Sequence, residues 1–381
     1  MDLDITIQPK GLKNRGENNC FLNVILQSLW NIEVLRNQLM SQTRHVHEKS
    51  FFEESEDQNL CLKCEIEHLM VEIQFSESKS IPSTTVRRAL SQLTSKFQDR
   101  AMACAVEAFE EILMYIHRES VSNSICINSS SIYIKDQLNS TICNPPCISH
   151  ANFTLQTIDE YFCCGKDRTA HIQNEFFLRI YVSELEAQYQ IFAKINEKVL
   201  PDLDILIGEA VREDLMVNCY NTCDECCQKV EIKRRWITTP RVLALYLIWN
   251  SDVSFSKTLL TCLRHELRTS VIFSADADQE IYRTYTLKGL ICYKEYHYVS
   301  FYYSPIFNKW YKTDDSSIQK IDSWSKVLSK INRNGFQPII LFYEAAAENS
   351  IFLADSNESA QAPHVEGEGI SKGYFDSCST F

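Results

Sequence analysis

The chain has 381 residues, of which 45% are hydrophobic, 11% aromatic and 23% charged, with a formal net charge of −12. This composition is typical of a globular protein with ample material for a core. The acidic balance argues against nucleic acid as a partner, because such binders need a basic surface to displace counterions from phosphates. No stretch approaches the roughly 18 uninterrupted apolar residues of a membrane span, and the N-terminus has no secretory signal pattern, so no membrane association is expected.

Helical patterns dominate the first third of the chain, after a short leader at residues 1–10. Apolar residues at helical spacing and plausible N-caps define these segments. Helices are predicted over residues 20–39, 61–76, 83–93 and 104–117. A polar stretch at residues 48–59 predicts a loop, and the Ser-, Asn- and Ile-rich residues 121–146 read as an insertion.

From about residue 150 onward the pattern changes to strands, with alternating or continuous β-forming residues. Strands are predicted over residues 176–183, 229–238, 242–249, 285–293, 298–303 and 338–343. A helical part followed by a mostly β part, without βαβ alternation, indicates an α+β fold. Residues 346–381 are acidic and lack apolar periodicity, which predicts a disordered tail.

Cys20 stands where a polar, Gly-containing loop meets the first predicted helix. A thiol at a helix N-terminus faces unpaired N–H groups and the positive end of the helix dipole, and both favour the reactive thiolate. The same N–H groups can help to bind an oxyanion, and Asn14, Asn18 and Asn19 bring side-chain amides nearby. The segment predicts a nucleophile, although an isolated cysteine in such a place is more often a small buried hydrophobe.

His297 begins a predicted strand, and Asp314 follows the next strand-like run. Adjacent antiparallel strands can bring these two side chains together. A carboxylate on one imidazole nitrogen then leaves the other nitrogen to accept a thiol proton. Taken alone, the two residues also fit an exposed histidine at a hairpin and an acidic turn. Together with Cys20 they predict a Cys-His-Asp triad.

Cysteine usage points to a reducing compartment, cytoplasmic or nuclear. The chain has sixteen cysteines and no secretory signal, so the thiols are expected to serve as buried hydrophobes, metal ligands or nucleophiles. His45, His47, Cys61 and Cys64 form two short-spaced pairs whose imidazoles and thiolates suit tetrahedral zinc. The alternative is a pair of thiols on a helix, with the two histidines in a solvated loop.

The segments around Cys20 and His297 resemble the two sequence boxes of the ubiquitin-specific proteases, a family of ubiquitin carboxyl-terminal hydrolases. The cysteine box is matched by Gly11, Leu12, Asn14, Cys20, Phe21, Asn23 and Gln27. The histidine box is matched by His297, Tyr298, Trp310, Lys312, Asp314 and Asp315. The long loop before Cys20 and the ending Phe-Gln-Pro-x-x-Leu-Phe-Tyr are similar to one branch, which contains ubiquitin carboxyl-terminal hydrolases 53 and 54 and related plant proteins.

The resemblance implies a papain-like α+β fold with thumb, palm and fingers. The catalytic domain would cover residues 11–345, with a helical thumb over about 11–120, the insertion over 121–146, and fingers and palm over about 147–345. The implied activity is thiol-dependent hydrolysis of the peptide or isopeptide bond after the ubiquitin C-terminus, through a thioester. Ubiquitin and ubiquitinated proteins or chains are the implied partners.

Residue roles also follow from the resemblance. Cys20 matches the nucleophile, His297 the general base and Asp314 the third member of the triad. Asn14 matches the amide that stabilises the oxyanion, and Asp315 matches a second acidic position near it.

Two departures from the family pattern concern the same site. The loop between the oxyanion asparagine and the cysteine is one residue longer here than in most members, which makes Asn18 and Asn19 alternative oxyanion donors. The residue before the histidine is usually glycine, and here it is Tyr296.

The family's fingers often hold zinc between two Cys-x-x-Cys pairs. Cys223 and Cys226 match the second pair, whereas an adjacent Cys163 and Cys164 replace the first. Neighbouring thiolates rarely share one metal, so Cys147 and His150 are candidates for the missing ligands. The branch has a similar His and Cys arrangement at the site of His45, His47, Cys61 and Cys64. The prediction is one structural zinc ion or two, with none used in catalysis.

The leading hypothesis is therefore an active deubiquitinase. Its strongest rival is a catalytically inactive, ubiquitin-binding scaffold of the same fold. A third hypothesis is a zinc-dependent interaction module unrelated to ubiquitin.

Overall fold

A computed structural model describes most of the chain up to residue 346. The described residues are 8–41, 60–122, 143, 146–163, 166–195, 200–217, 231–250, 257–272 and 284–346. The predicted loop at 48–59, nearly all of the predicted insertion and all but the first residue of the predicted tail lie outside these ranges, as does most of the leader.

The N-terminal part is helical, as the sequence predicts. Its helices are α1 (Cys20–Asn31), α2 (Glu33–Ser41), α3 (Leu62–Phe75), α4 (Thr84–Leu93) and α5 (Ala105–Ser122), and its strands are β1 (Gly11–Lys13) and β2 (Ser80–Pro82). The single helix predicted over 20–39 is divided at Ile32, where the backbone becomes extended (φ −84°, ψ 100°) before α2 begins. Helix α5 continues to Ser122, beyond its predicted end and into the predicted insertion.

A large sheet forms the centre of the C-terminal part. Its strands are β5 (Leu178–Tyr181), β7 (Val242–Ile248), β8 (Glu266–Arg268), β9 (Thr284–Lys294), β10 (His297–Ser304), β11 (Lys309–Asp314), β12 (Ser317–Ile321) and β13 (Gln337–Ala345). The strand order is β12-β11-β10-β9-β13-β7-β5, and β8 pairs with β9 off this path. The β5–β7 pair is parallel and the other pairs are antiparallel.

Both faces of the central strands β7 and β13 are buried, which explains their continuous apolar runs. Along β7, Val242 and Ala244 face one hydrophobic cluster, which α1, α3, α4 and α5 complete. Leu243 and Leu245 face a second cluster on the opposite side of the sheet. The sheet therefore holds the helical part on one of its faces.

A second, three-stranded antiparallel sheet has the order β4-β3-β6. Its strands are β3 (Leu155–Cys163), β4 (Lys166–Glu175) and β6 (Glu231–Thr238). A partly buried ion pair joins two of them, because Arg234 of β6 binds the Asp159 carboxylate of β3 at 2.6 Å. The helical part, the central sheet and this smaller sheet together give the α+β arrangement that the sequence predicts.

The C-terminal part also contains helices that the strand-dominated prediction did not include. They are α6 (Ile148–Phe153), α7 (Val182–Ile195), α8 (Leu203–Val217), α9 (Lys257–Cys262), α10 (Thr269–Ile272) and α11 (Trp324–Asn334). The predicted strand over 176–183 illustrates why one of these helices was missed. Strand β5 passes directly into α7 at Val182, and no glycine or proline marks the boundary. Among the described helices, none has the length and apolar character needed to cross a bilayer.

Candidate active site

Cys20 is the first residue of α1, and its side chain is 7% exposed. The helix is fixed by apolar side chains that enter the first hydrophobic cluster, among them Leu22, Ile25 and Leu29. Helix α1 also contacts β10, the strand that begins at His297. The packing thus brings the helix N-terminus to the predicted base.

A two-residue turn carries the chain from β9 into β10, directly before His297. Both turn residues, Glu295 and Tyr296, have positive φ values, 47° and 66°. Such tight hairpin turns need positive φ at both central positions, which is why glycine is favoured there. Tyr296 adopts this left-handed conformation in place of the family's usual glycine, and its side chain is 73% exposed.

His297 and Asp314 are in direct contact across neighbouring strands. The His297 Nε2 atom lies 2.7 Å from Asp314 Oδ1. The second carboxylate oxygen, Oδ2, accepts a hydrogen bond of 2.7 Å from Lys312 Nζ. The hydrogen bond with His297, together with Lys312, lowers the pKa of Asp314 to about 2.

Cys20 completes this group of side chains. Hydrogen bonds of His297, first with Asp314 and then with Cys20, raise the pKa of the imidazole to about 10. Because Nε2 faces Asp314, Nδ1 is the nitrogen left for the thiol. The structure therefore brings together the three residues that the sequence predicts as a triad.

Asp315 binds two asparagines of the cysteine box. Asn14 Nδ2 donates to Asp315 Oδ2 at 2.9 Å, and Asn23 Nδ2 donates to Asp315 Oδ1 at 2.8 Å. Ser83, the residue before α4, makes no capping hydrogen bond, and its hydroxyl instead donates to Asn23 Oδ1 at 2.6 Å. The other atom of the Asn14 amide, Oδ1, accepts from the backbone N–H of Asn19.

Asn18 and Asn19, the alternative oxyanion donors, direct their side-chain amides elsewhere. Asn18 Nδ2 donates to the carbonyl of Arg100 at 2.8 Å, and Asn19 Nδ2 donates to Glu17 Oε2 at 2.8 Å. Asn18 has a φ of 55°, so the extra length of this loop is taken up by a left-handed residue. Of the three candidate oxyanion donors, Asn14 is the one whose side chain bonds the histidine box, through Asp315.

Backbone contacts also join the two boxes. The N–H of Leu12 donates to the carbonyl of Asp315 at 3.0 Å. A Cβ atom on Gly11 would lie 2.5 Å from the backbone oxygen of Ser316, so no larger residue fits there without moving the turn. Strand β1 therefore packs directly against the turn that follows Asp314 and is hydrogen-bonded to it.

The structure describes only part of the first predicted zinc site. Cys61 and Cys64 lie close enough for a hydrogen bond, and burial together with the neighbouring Cys61 raises the pKa of Cys64 to about 12. Tyr115 donates to Cys61 Sγ at 3.6 Å. The proposed partners His45 and His47 lie outside the described residues.

Cys147 and His150, from the second predicted zinc site, meet His117 and Cys143. One potential ligand atom of each residue lies within 4.8 Å of all the others. Cys143 Sγ is 3.1 Å from His150 Nδ1, and Cys147 Sγ is 3.5 Å from His117 Nδ1. The other residues predicted for this site, Cys164, Cys223 and Cys226, lie outside the described residues.

The His117–Cys143–Cys147–His150 cluster fits a zinc ion. Zinc–nitrogen and zinc–sulfur bonds of about 2.0–2.3 Å give tetrahedron edges of roughly 3.3–3.8 Å, close to the observed separations. Backbone N–H groups point at both sulfurs, from Cys147 to Cys143 Sγ at 3.0 Å and from His150 to Cys147 Sγ at 3.5 Å. Burial lowers the pKa of His150 to about 4, so its imidazole is neutral, the form that binds metals.

The sequence prediction missed His117 as a member of this cluster. The available signal was a histidine near the end of a predicted helix, followed by Cys143, Cys147 and His150 at short spacing. The 25 residues between His117 and Cys143 hid the connection, because nothing in that stretch of sequence predicts that the chain returns to α5.

Comparison with known proteins extends these observations. A family model described as "Ubiquitin carboxyl-terminal hydrolase" matches residues 10–343. The chain is 28% identical to ubiquitin carboxyl-terminal hydrolase 54 of Rattus norvegicus over 92% of its own length and 21% of that protein's. It is 27% identical to ubiquitin carboxyl-terminal hydrolase 53 of Homo sapiens over 88% of its own length and 30% of that protein's. The chain therefore spans less than a third of these relatives.

Solved structures with the same fold include the SAGA DUB module Ubp8/Sgf11/Sus1/Sgf73. In its complex with monoubiquitin the similarity has a TM-score of 0.61 at 18% identity, covering 89% of this chain and 69% of that one. For the complex with ubiquitin aldehyde the TM-score is 0.59 at 18% identity, and the similarity covers 91% of this chain and 71% of that one. This similarity confirms the predicted papain-like α+β fold of thumb, palm and fingers.

Proposed function

Because the chain belongs to the ubiquitin carboxyl-terminal hydrolase family of thiol-dependent hydrolases, we propose that it cleaves the bond after the C-terminus of ubiquitin, with Cys20 as nucleophile. The observation that carries this proposal is the 2.7 Å contact between His297 and Asp314, on strands packed against the helix whose first residue is Cys20. A helix-terminal thiol, an imidazole and a fixed carboxylate are the parts that thiol acyl transfer needs.

In the proposed reaction, His297 Nδ1 takes the proton of Cys20, and the thiolate attacks the C-terminal carbonyl carbon of ubiquitin. The carbon–sulfur bond forms as the carbonyl oxygen becomes an oxyanion. Collapse of this intermediate breaks the carbon–nitrogen bond, and His297 gives its proton to the departing amine. Water, deprotonated by His297, then hydrolyses the thioester and releases the ubiquitin carboxylate and the Cys20 thiol.

Asn14 is the proposed side-chain donor to the oxyanion, with Asp315 as the residue that positions it. The hydrogen bond of 2.9 Å between them supports this assignment over Asn18 and Asn19, whose amides bind other groups. An oxyanion donor is useful only when it is held in place before the reaction, because reorientation during the reaction costs free energy. Asn23, on the other Asp315 oxygen, keeps that carboxylate in place.

Ubiquitin and ubiquitinated proteins or chains are the proposed partners. The SAGA DUB module, which shares this fold, has been solved bound to monoubiquitin and to ubiquitin aldehyde. The absence of nucleic-acid or membrane partners and a cytoplasmic or nuclear location stay predictions from the sequence.

The proposed function is tested with a ubiquitin that carries an electrophile at its C-terminus. We expect a covalent adduct of one ubiquitin per chain, attached at Cys20, because the probe traps the attacking thiolate. Ubiquitin without its last residues, but with the same electrophile, is the matched control and should react far more slowly. Binding without an adduct would indicate the inactive scaffold, and the absence of binding would refute both ubiquitin hypotheses.

A structural zinc ion at the His117–Cys143–Cys147–His150 cluster is also part of the proposal. Four protein ligands would fill the coordination sphere and leave no open position for water, as in structural zinc sites. The cluster joins α5 to the N-terminus of α6, on the face of the sheet that also supports α1. The ion would thus stabilise the helical part without taking part in the reaction.

Joint replacement of Cys143 and Cys147 by serine is expected to remove one zinc ion per chain. The melting temperature should fall by roughly 5 °C or more, because metal binding contributes to folding. Elemental analysis and a thermal melt measure the two effects. Cys262→Ala, which removes a buried thiol in the second hydrophobic cluster, should keep the zinc content. Unchanged zinc content in the double variant would contradict the site.

A further inference from the structure

Arg87 of α4 is one of the largest fully buried side chains, with 1% of its surface exposed. A buried guanidinium is costly unless its N–H groups are satisfied. Here Nε donates to the carbonyl of Phe97 at 2.9 Å, and Nη2 donates to the carbonyls of Gln98 and Ala101, the latter at 2.7 Å. The cation is thus solvated by backbone oxygens of one loop, residues 97–101.

The remaining contacts of Arg87 fall on the two neighbours of Cys20. On the preceding side, Arg87 Nη1 donates to Asn19 Oδ1 at 3.4 Å. On the following side, the Arg87 Cζ atom lies 4.5 Å from the centroid of the Phe21 ring, in a cation–π arrangement. One buried cation therefore contacts the residues on both sides of the predicted nucleophile.

The loop that Arg87 binds also supports the segment before Cys20. The carbonyl of Arg100, within residues 97–101, accepts the hydrogen bond from Asn18. Both Asn18 and Arg100 have left-handed backbones, with φ values of 55° and 59°. The loop before Cys20 and the loop of residues 97–101 therefore contact each other next to the thiol. Arg87 donates the hydrogen bonds that fix the loop of residues 97–101.

We propose that Arg87 is a positioning residue for Cys20, which fixes the backbone on both sides of the thiol and places a positive charge behind the thiolate. If Arg87 only held the loop in place, its hydrogen bonds would be sufficient. Stabilisation of the Cys20 thiolate also requires the positive charge of Arg87. The two roles predict different pH profiles for the reaction of Cys20 with a small electrophile.

Several other charged or titratable groups face Cys20 and are kept constant in the test. His297 and Tyr298 face Cys20 from β10. Burial lowers the pKa of Arg87, and the negative charges of Asp99 and Cys20 partly offset that lowering. The proposal rests on the proposed role of Cys20 as nucleophile. Alkylation by iodoacetamide needs no ubiquitin, so it tests Arg87 even if the wild-type chain hydrolyses nothing.

The experiment compares wild type with Arg87→Gln, which keeps hydrogen-bond donors but loses the charge, and Arg87→Lys, which keeps the charge. Arg88→Gln is the matched control, since Arg88 is the next residue of α4 and is exposed. The alkylation rate of Cys20 is followed by mass spectrometry of its peptide between pH 4 and 9. For Arg87→Gln we expect the midpoint of this rate profile to rise by about 0.5–1 pH unit. At any pH below the midpoint, this rise corresponds to about three- to tenfold less Cys20 thiolate.

Arg87→Lys and Arg88→Gln should keep the wild-type midpoint. A folded Arg87→Gln chain with the wild-type midpoint would overturn the proposal, as would an Arg87→Lys chain whose midpoint rises equally. Thermal melts identify unfolded variants. If Arg87→Gln does not fold, Arg87→Met, which also removes the charge, takes its place, and the same outcomes decide.

Discussion

Replacement of Cys20 by alanine is expected to lower the hydrolysis of a ubiquitin C-terminal amide by at least about 10³-fold. Without the thiol no thioester can form, and neither water nor His297 can take over the attack at a comparable rate. Ubiquitin affinity should stay within a few-fold of wild type, because a side chain that is 7% exposed offers little contact area. Steady-state kinetics and a binding titration on the same preparations measure both effects.

The control for this variant removes another buried thiol. Cys262 packs in the second hydrophobic cluster, and Cys262→Ala should retain turnover even if the chain melts earlier. Equal turnover by the Cys20→Ala chain and the wild-type chain would show that a different residue is the nucleophile.

Asp314→Asn is expected to reduce kcat/KM by about 10³- to 10⁴-fold, the size of effect seen when a triad carboxylate becomes an amide. The amide can accept the His297 N–H only if it turns its nitrogen towards Lys312 Nζ, which now donates to Asp314 at 2.7 Å. If it turns the other way, it donates to Nε2 and forces the proton onto Nδ1, where it blocks the base. Asp322→Asn, at an exposed carboxylate paired with Lys326, is the control and should keep full activity.

The same variant should show a pH-dependent loss of stability. The pKa of His297 is raised from 6.5 to about 10, so its contribution is complete below pH 6.5 and is lost as the pH rises towards 10. The pKa of Asp314 is lowered from 3.8 to about 2, so its contribution is complete above pH 3.8 and is lost as the pH falls towards 2. The melting temperature of wild type should therefore exceed that of Asp314→Asn most at about pH 5, and the difference should shrink by pH 9.

The residues of the predicted triad could be read from the sequence because each stands at a boundary between local elements. Cys20 begins a strongly apolar helix, and His297 begins a strand after a two-residue turn. Such boundaries depend on residues next to one another in the chain, which a sequence shows directly. The pairing of the two segments came from the resemblance of both boxes to one family.

Other features depend on distant contacts and were missed. His117 belongs with Cys143 only because α6 folds back onto the end of α5. Arg87 reads as one basic residue beside another in an amphipathic helix, and its neighbour Arg88 is exposed. Helix α11 was missed for a different reason, since Val327 and Ile331 are its only buried side chains and most of the others are polar.

The contact between β1 and the turn after Asp314 joins segments that are synthesised at very different times. Asn14 and Asp315 are 301 residues apart, and the sheet that carries His297 is completed by β13, which follows it. At translation rates of about 5–20 residues per second, Cys20 leaves the ribosome roughly 15–60 s before the turn that Gly11 must touch. During that interval the thiol has neither base nor oxyanion support. The candidate active site therefore cannot assemble on a nascent chain until β13 has been synthesised.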